Sequence, residues 1–388
     1  MRKFHCSTGF VFGFALMVLC AMVHPAQGEA GSEASFLAGY GDSTAFPEAA
    51  TGTCASPTDR CDRPTPMGVS TGTTPSSPFI FAGTAGMRVR SLMNPNQKFI
   101  LSNNHVLGAI GPTLCPDTAP IGTAVLQPGN LDIGFDPGPD PFYVVGNLAA
   151  KIALKFSAGS INLIDSAIAS TTTADADTMI LGIGNPAPSV AFAAPGDAVV
   201  KAGRTTGVTS GTVASVNGSF NVNYGAGCGT ARFIRQVEVT PGSFSSGGDS
   251  GSAILNSASR APVALLFAGS SQSTIGNPMI FVYILLRVFV DGPSSVSSLN
   301  DVIREYDSMQ KDPRMGRLME IQAREEPAIF RHRGVVGMSI GLAQNGEDLA
   351  FRVYVKAMTP ELRGSLPRQL DGVPVRVIES GEFNAYDW

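Results

Sequence analysis

The run Pro241 to Leu255, PGSFSSGGDSGSAIL, places Ser250 in a Gly-Asp-Ser-Gly sequence directly ahead of an apolar, strand-like segment. Gly, Ser and Asp also favour tight turns, so the run alone does not separate a nucleophile from an ordinary polar turn. A serine hydroxyl is a weak nucleophile at neutral pH and needs a base, and the base needs a group to orient it. Beyond the first 28 residues the only histidines are His105 and His332. His332 lies between two arginines in FRHRG, a cationic setting that disfavours a proton-accepting imidazole, whereas His105 follows the apolar run KFILSNN. His105 is therefore the candidate base. For the acid, Asp165 in SINLIDSAIAST stands inside an apolar stretch where a carboxylate is costly unless a donor meets it, and an imidazole N–H is such a donor. Asp132 in GNLDIGFD is the competitor and reads as a loop aspartate. The order His105, Asp165, Ser250 is not that of the α/β-hydrolases, and Ser252 stands where their nucleophile elbow needs its second glycine.

Elements must bring these residues together. From about Met67 to Asp291 short β-branched runs, such as GMRVRS, QKFILSNN, KIALKF, DAVVKAG, VTSGTVASV, FIRQVEV and APVALLFAG, alternate with glycine and proline. That spacing argues for antiparallel barrels or a sandwich, so the domain is set at residues 67–292. MIFVYILLRVFV, from Met279, reads as a buried strand followed by a strand or short helix. Residues 293–326 carry helical spacing, with a capping box at Ser298 and Asp301 and a fresh N-cap at Asp312-Pro313. Residues 327–388 return to strands and read as a small ββαβ accessory module.

The N-terminal residues 1–28 have a signal-peptide layout: Arg2 and Lys3, an apolar run from Phe10 to Val23, and a small-residue site ending at Gly28. Lipidation at Cys20 is disfavoured by the Met17-Val18-Leu19 before it. No later stretch is long enough for a membrane span. Residues 29–66 are rich in Gly, Ser, Thr, Pro and Ala and read as a poorly ordered leader. Four cysteines remain after Cys6 and Cys20, consistent with a secreted or periplasmic location and two disulfides. Cys54 with Cys61 would close a small loop and leave Cys115 for Cys228, but three pairings are open.

The segments ILSNNHV around His105, NLIDSAIA around Asp165 and FSSGGDSGSAIL around Ser250 resemble the trypsin-like serine peptidases of the chymotrypsin fold. RPTPMGVSTG, AGTAGMRVR, LQPG, KAGRTTGVTSGTV and LLFAGSS, in that order, make the chain similar to the bacterial branch related to the plant narrow-leaf trypsin-like proteins. The resemblance implies a mainly β fold, a chymotrypsin-like double β-barrel with a C-terminal helical linker and a small α+β module. It implies a triad of His105, Asp165 and Ser250, and an oxyanion hole from the Gly248 and Ser250 N–H groups. Asp249 is expected to support the loop internally. Phe244 falls at the specificity position six residues before Ser250, and Phe267, Ala268 and Gly269 form the pocket wall, so an apolar or small P1 residue is expected rather than lysine or arginine. The chain departs from the animal digestive members in having Val106 after the histidine and no cysteine beside Ser250.

The net charge of -4 at pH 7 and the absence of a long basic run leave no nucleic-acid footprint. GRTTG, Gly203 to Gly207, lacks the Gly-Lys-Ser/Thr ending of a phosphate loop and reads as a β-turn. Cysteine and histidine spacing does not fit zinc, and the aspartates of GFDPGPDPF fit no calcium loop, so no metal or cofactor is expected. The expected partner is a protein or peptide substrate, with a catalytically silent binding scaffold as the alternative. The segment after Pro293 could inhibit, recruit substrate or build a homo-oligomer.

Overall fold

The computed structural model describes residues 53–75, 80–110, 115–225, 227–294, 296–309, 313–343, 346 and 348–385. The expected signal segment, the expected leader as far as residue 52, and Asp312 lie outside them. The first group of strands is β1 (Thr65–Met67), β2 (Val69–Thr74), β3 (Gly83–Ala85), β4 (Met87–Ser91), β5 (Lys98–Ser102), β6 (Ala124–Leu126), β7 (Val144–Lys151), β8 (Ala167–Thr171) and β9 (Ala176–Ile180). β3 and β4 are one bent strand broken at Gly86. Through it the pairing runs β2, β3/β4, β5, β8, β7, β6 and back to β2, a closed six-stranded barrel. Closure removes sheet edges, the solution favoured by short strands that each bury one face.

The second group is β10 (Ala198–Gly203), β11 (Gly207–Asn223), β12 (Thr230–Thr240), β13 (Ala253–Asn256), β14 (Pro262–Gly269) and β15 (Thr274–Pro278). Its order β10, β13, β14, β15, β12, β11, with β11 returning to β10, closes a second six-stranded barrel. The fold is therefore mainly β, a double β-barrel. β16 (Val288–Val290) crosses back to pair with β4, and Asp291 just after it is held by Arg88 and Lys98, each at 2.7 Å.

The C-terminal strands are β17 (Val335–Leu342), β18 (Leu349–Val355), β19 (Gln369–Leu370), β20 (Val373–Glu379) and β21 (Phe383–Ala385). They have no sheet of their own. One edge of the long β11 takes β10 near its start, β17 along Ser215 to Phe220, and β21 at Val222 and Asn223. Bulges between Val213 and Phe220 bend β11 enough to serve all three.

Two sequence expectations change here. Residues 53–66 are not a loose leader: Cys61 is buried, its N–H donates to Gln127 Oε1 at 3.0 Å, and Arg63 pairs with Asp175 at 2.7 Å. Met279–Leu286 is a helix rather than a strand, ended by Arg287 at φ 54°. Its β-branched residues imitate a strand because six of its eight positions are buried and no polar face marks the helical period. The helix Leu299–Met309 does carry the capping box: Asp301 N donates to Ser298 Oγ at 3.3 Å and Ser298 N to Asp301 Oδ2 at 2.9 Å. Hydrogen bonds to the Asp301 carboxylate from the Ser297 main-chain N–H and the Ser298 hydroxyl, joined by Ser297 Oγ and Ser298 N, hold it well below its usual range. The next helix, Pro313–Ile329, packs Leu318, Ile321 and Ile329 onto β17 and β18. No described helix is long and apolar enough to cross a membrane.

A buried polar network fastens the C-terminal strands. Arg352 on β18 lies 3.3 Å from Glu238 on β12, and the Tyr354 hydroxyl bonds to Glu238 and contacts Ser215 and Ser339. Burial, reinforced by the Glu238 charge, pushes the Tyr354 phenol far above its usual range. Replacing Arg352 with methionine would leave Glu238 buried without its cation, a cost of about 3–5 kcal/mol. Arg352→Met is expected to lower Tm by roughly 5 °C or more in thermal unfolding, and adding Glu238→Gln to recover most of it. An unchanged Tm in the single variant would show that the pair does not hold the extension.

Candidate active site

Asp165 lies immediately before β8 with no solvent exposure, and its carboxylate collects four donors. Oδ1 accepts from Asn104 N at 2.7 Å and His105 N at 3.2 Å; Oδ2 accepts from His105 Nδ1 at 2.6 Å and the Tyr224 hydroxyl at 2.7 Å. His105 sits in the one-turn helix Asn104–Leu107 that follows β5, so strand pairing of β5 with β8 brings base and acid to one barrel end. A carboxylate only accepts, so Nδ1 carries the proton and the ring orientation is fixed. The main chain of Asp165 is held as well, its N–H by Asn277 Oδ1 at 3.1 Å and its carbonyl by Asn103 Nδ2 at 2.7 Å.

Asp132 is occupied elsewhere. Its carboxylate takes Arg204 Nε and Nη2, both at 2.6 Å, and the Ser70 hydroxyl at 2.5 Å. His332 lies in the turn after Pro313–Ile329, with Nδ1 at 3.1 Å from Ser365 Oγ. Of the two aspartates named from the sequence, Asp165 is the one that bonds to His105.

The turn carrying Ser250 belongs to the second barrel but docks on the first. The Ser250 carbonyl accepts from Thr84 N at 2.7 Å, and the Gly248 carbonyl from Thr84 Oγ1 at 2.9 Å. At Gly83 the two partners nearly touch: a Cβ there would lie 2.5 Å from Val106 Cγ2 and 3.0 Å from the Ser250 carbonyl. A glycine at that position thus lets the serine turn close over the residue next to His105. Gly248 has φ +91°, a conformation open to glycine and strained for other residues.

In a trans peptide the C=O and N–H point in opposite directions, so the preceding carbonyls aim the two expected oxyanion donors. The Gly247 carbonyl accepts from Thr205 Oγ1 at 2.5 Å, which turns the Gly248 N–H away from Thr205. The Asp249 carbonyl accepts from Ser252 Oγ at 2.7 Å and Ser252 N at 3.0 Å, which turns the Ser250 N–H the opposite way. Asp249 itself is fully buried. Its carboxylate accepts from Thr205 N at 2.8 Å, Thr206 N at 3.1 Å, Thr206 Oγ1 at 2.6 Å and Ser246 N at 3.0 Å, with Lys201 Nζ 3.3 Å away. Burial pulls the Lys201 ammonium below the usual lysine range, with the Asp249 charge opposing it.

Three participants have roles at the site that the sequence does not show. GRTTG, read as a plain turn, is the β10–β11 turn that clamps the serine loop through Thr205 and Thr206. Lys201 was hidden in the strand pattern DAVVKAG. Tyr224 stands at the tip of the β11–β12 hairpin, edge-on to the His105 ring with centroids 5.9 Å apart. The Cys115–Cys228 disulfide ties that tip to the chain after His105, and Cys54–Cys61 is the other disulfide among the described residues.

The expected specificity residues lie apart. Phe244 is buried among Val199, Val213, Val239 and Ile254 inside the second barrel. The Phe267 ring packs against Phe233, centroids 4.6 Å apart, in a different cluster. Neither ring is solvent-open, and Ala268 and Gly269 present main chain to a neighbouring strand.

No protein-family model matches the chain, and no curated protein matches it. Among solved structures it is similar, over 58% of its length, to Thermobifida fusca protease A (18% identity, 98% of that chain, TM-score 0.39). It is likewise similar to the Nocardiopsis protease (14%, 98%, 0.40) and to a glutamic acid specific serine protease (23%, 100%, 0.39). At these scores the two-barrel description rests on the strand pairing above.

Lys201→Met would strand Asp249 as a buried charge, so a loss of about 3–5 kcal/mol in denaturant unfolding is expected, with Asp249→Asn in the same chain restoring part. Tyr224→Phe removes one donor from a charged acceptor and is expected to cost about 1.5–3 kcal/mol in the same measurement. Stability equal to the parent chain would count against that bond.

Proposed function

We propose that the chain is an exported serine endopeptidase acting through an acyl-enzyme, within the branch its ordered motifs resemble. The observation that carries this reading is the buried Asp165 carboxylate, 2.6 Å from His105 Nδ1, beside the docked turn that holds Ser250. With Nδ1 engaged by Asp165, His105 Nε2 takes the Ser250 proton as Oγ attacks the scissile carbonyl carbon. The oxyanion forms against the Gly248 and Ser250 N–H groups, donors of a kind worth about 2.7–4 kcal/mol each in the transition state. His105 passes the proton to the leaving amine, the peptide C–N bond breaks, and water then releases the acyl group from Ser250 by the same base.

A small or apolar P1 preference is inferred from residue type alone: Phe244 stands where basic-specific members of the resembled family carry an acid. The apolar N-terminal run and the two disulfides support export. Ser250→Ala is expected to reduce kcat/KM on a mixed peptide library by at least ~10⁴-fold and to abolish fluorophosphonate labelling, with His105→Ala doing the same. In the same library, cleavage after small or apolar residues should exceed cleavage after lysine or arginine by about tenfold or more. Labelling of another serine, or full hydrolysis by Ser250→Ala, would overturn the assignment.

A further inference from the structure

The edge of β14 facing the serine turn has two occupants in succession. Leu266 N donates to the Ser252 carbonyl and Gly251 N to the Leu266 carbonyl, so the residues just after Ser250 hold the first part of the edge. Two positions further along, Ala268 pairs with Ala385 and Gly269 with Asn384, antiparallel. Successive strand residues rise about 3.3 Å, so β21 begins roughly 7 Å beyond the point where the serine turn is anchored. Its polarity is also defined: the chain runs from Asn384 opposite Gly269 to Ala385 opposite Ala268, with its carboxyl side heading toward Ser250.

An extended peptide bound by a sheet gains affinity from main-chain pairing with a free edge and specificity from alternate side chains. β21 has both features. Phe383 and Ala385 are buried while Asn384 between them is exposed, and the Phe383 ring packs on Phe220 at 4.9 Å and Tyr354 at 5.8 Å between centroids. β21 is held from its other side by Val222 and Asn223, and the next residue along β11 is Tyr224, which bonds to Asp165. The part of the β14 edge just beyond the serine turn is thereby filled by the chain itself.

We propose that β21 is a resident pseudo-substrate: the Ala268–Gly269 edge is the acceptor for an extended peptide, and Phe383–Ala385 occupies it in cis until displaced. This rests on the peptidase reading above. An incoming peptide meets a site that is competent only in the fraction of molecules with β21 released, so its apparent KM is the intrinsic value divided by that fraction. A small probe that needs only Ser250 and His105 is not subject to that competition.

The test compares the full chain with one ending at Gly381, using a fluorophosphonate and a set of peptides of increasing length. Both forms should take the fluorophosphonate at similar rates. The shortened form should cleave extended peptides with kcat/KM raised at least tenfold, mainly through KM, and a synthetic peptide of residues 379–388 should then compete. Asn384→Pro, which removes one ladder donor and keeps the Phe383 anchor, should give the same effect in the full-length chain. In the unaltered chain, a peptidyl phosphonate should raise amide hydrogen exchange at 383–385. Equal cleavage of extended peptides by folded variants, or unchanged protection at 383–385 with the phosphonate bound, overturns the proposal while leaving the peptidase reading standing. Failure of every form to label removes the peptidase reading instead.

Discussion

A carboxylate without solvent has to be surrounded by donors, and Asp165 shows what that demand does to a fold. Its donors come from the helix after β5, from the imidazole that helix presents, and from a tyrosine on a hairpin of the other barrel. None of these groups is near Asp165 in sequence. Losing a donor to a buried charge costs more than losing an ordinary hydrogen bond, so the carboxylate penalises any displacement of the two barrels' facing ends. The Cys115–Cys228 disulfide ties the same hairpin to the chain beyond His105.

The second buried acid repeats the logic within one barrel. Asp249 is one residue from Ser250 and gathers the β10–β11 turn, Ser246 and the Lys201 ammonium. Lys201 comes from β10 itself, so the cation is supplied by an internal strand. Asp249 holds the serine turn to its own barrel, and Thr84 holds it to the first by donating to the Gly248 and Ser250 carbonyls on either side of Asp249. The direction of two N–H groups follows from where their preceding carbonyls are bonded, which is a property of Thr205 and Ser252.

What could be read from the sequence divides along physical lines. Alternating, glycine-punctuated runs have a local period, so the mainly β class was legible, as was a contact between Asp165 and an imidazole, because an acid in an apolar run requires a partner. The capping box at Ser298 and Asp301 is local too. Positions whose meaning depends on distant chain were not: Lys201 looks like any strand lysine, Tyr224 like a loop aromatic, and Arg204 gives no sign that it claims Asp132. The helix Met279–Leu286 was misread since burial on nearly all sides erases the pattern that distinguishes helix from strand. Phe244 and Phe267 have the residue types of a pocket, but barrel curvature places their rings in separate clusters.

The C-terminal strands are the plainest case of a limit on local reading. Their composition shift at Pro293 suggests an appended module, yet they complete the edge of β11 that β10 leaves uncovered beyond Thr212. An uncovered edge of that length would be an open pairing surface, and the buried Glu238–Arg352–Tyr354 network shows that the face of β12 turned away from the Val237 and Val239 core is built to receive the extension. β21 then follows from the same geometry. Once β17 has taken Ser215 to Phe220, the remaining edge of β11 at Val222 and Asn223 faces the free end of β14, and a strand between them satisfies both. The strand that finishes the sheet is therefore also the one that occupies the β14 edge next to the serine turn, so folding of the extension and cover of that edge are coupled through a single three-residue strand.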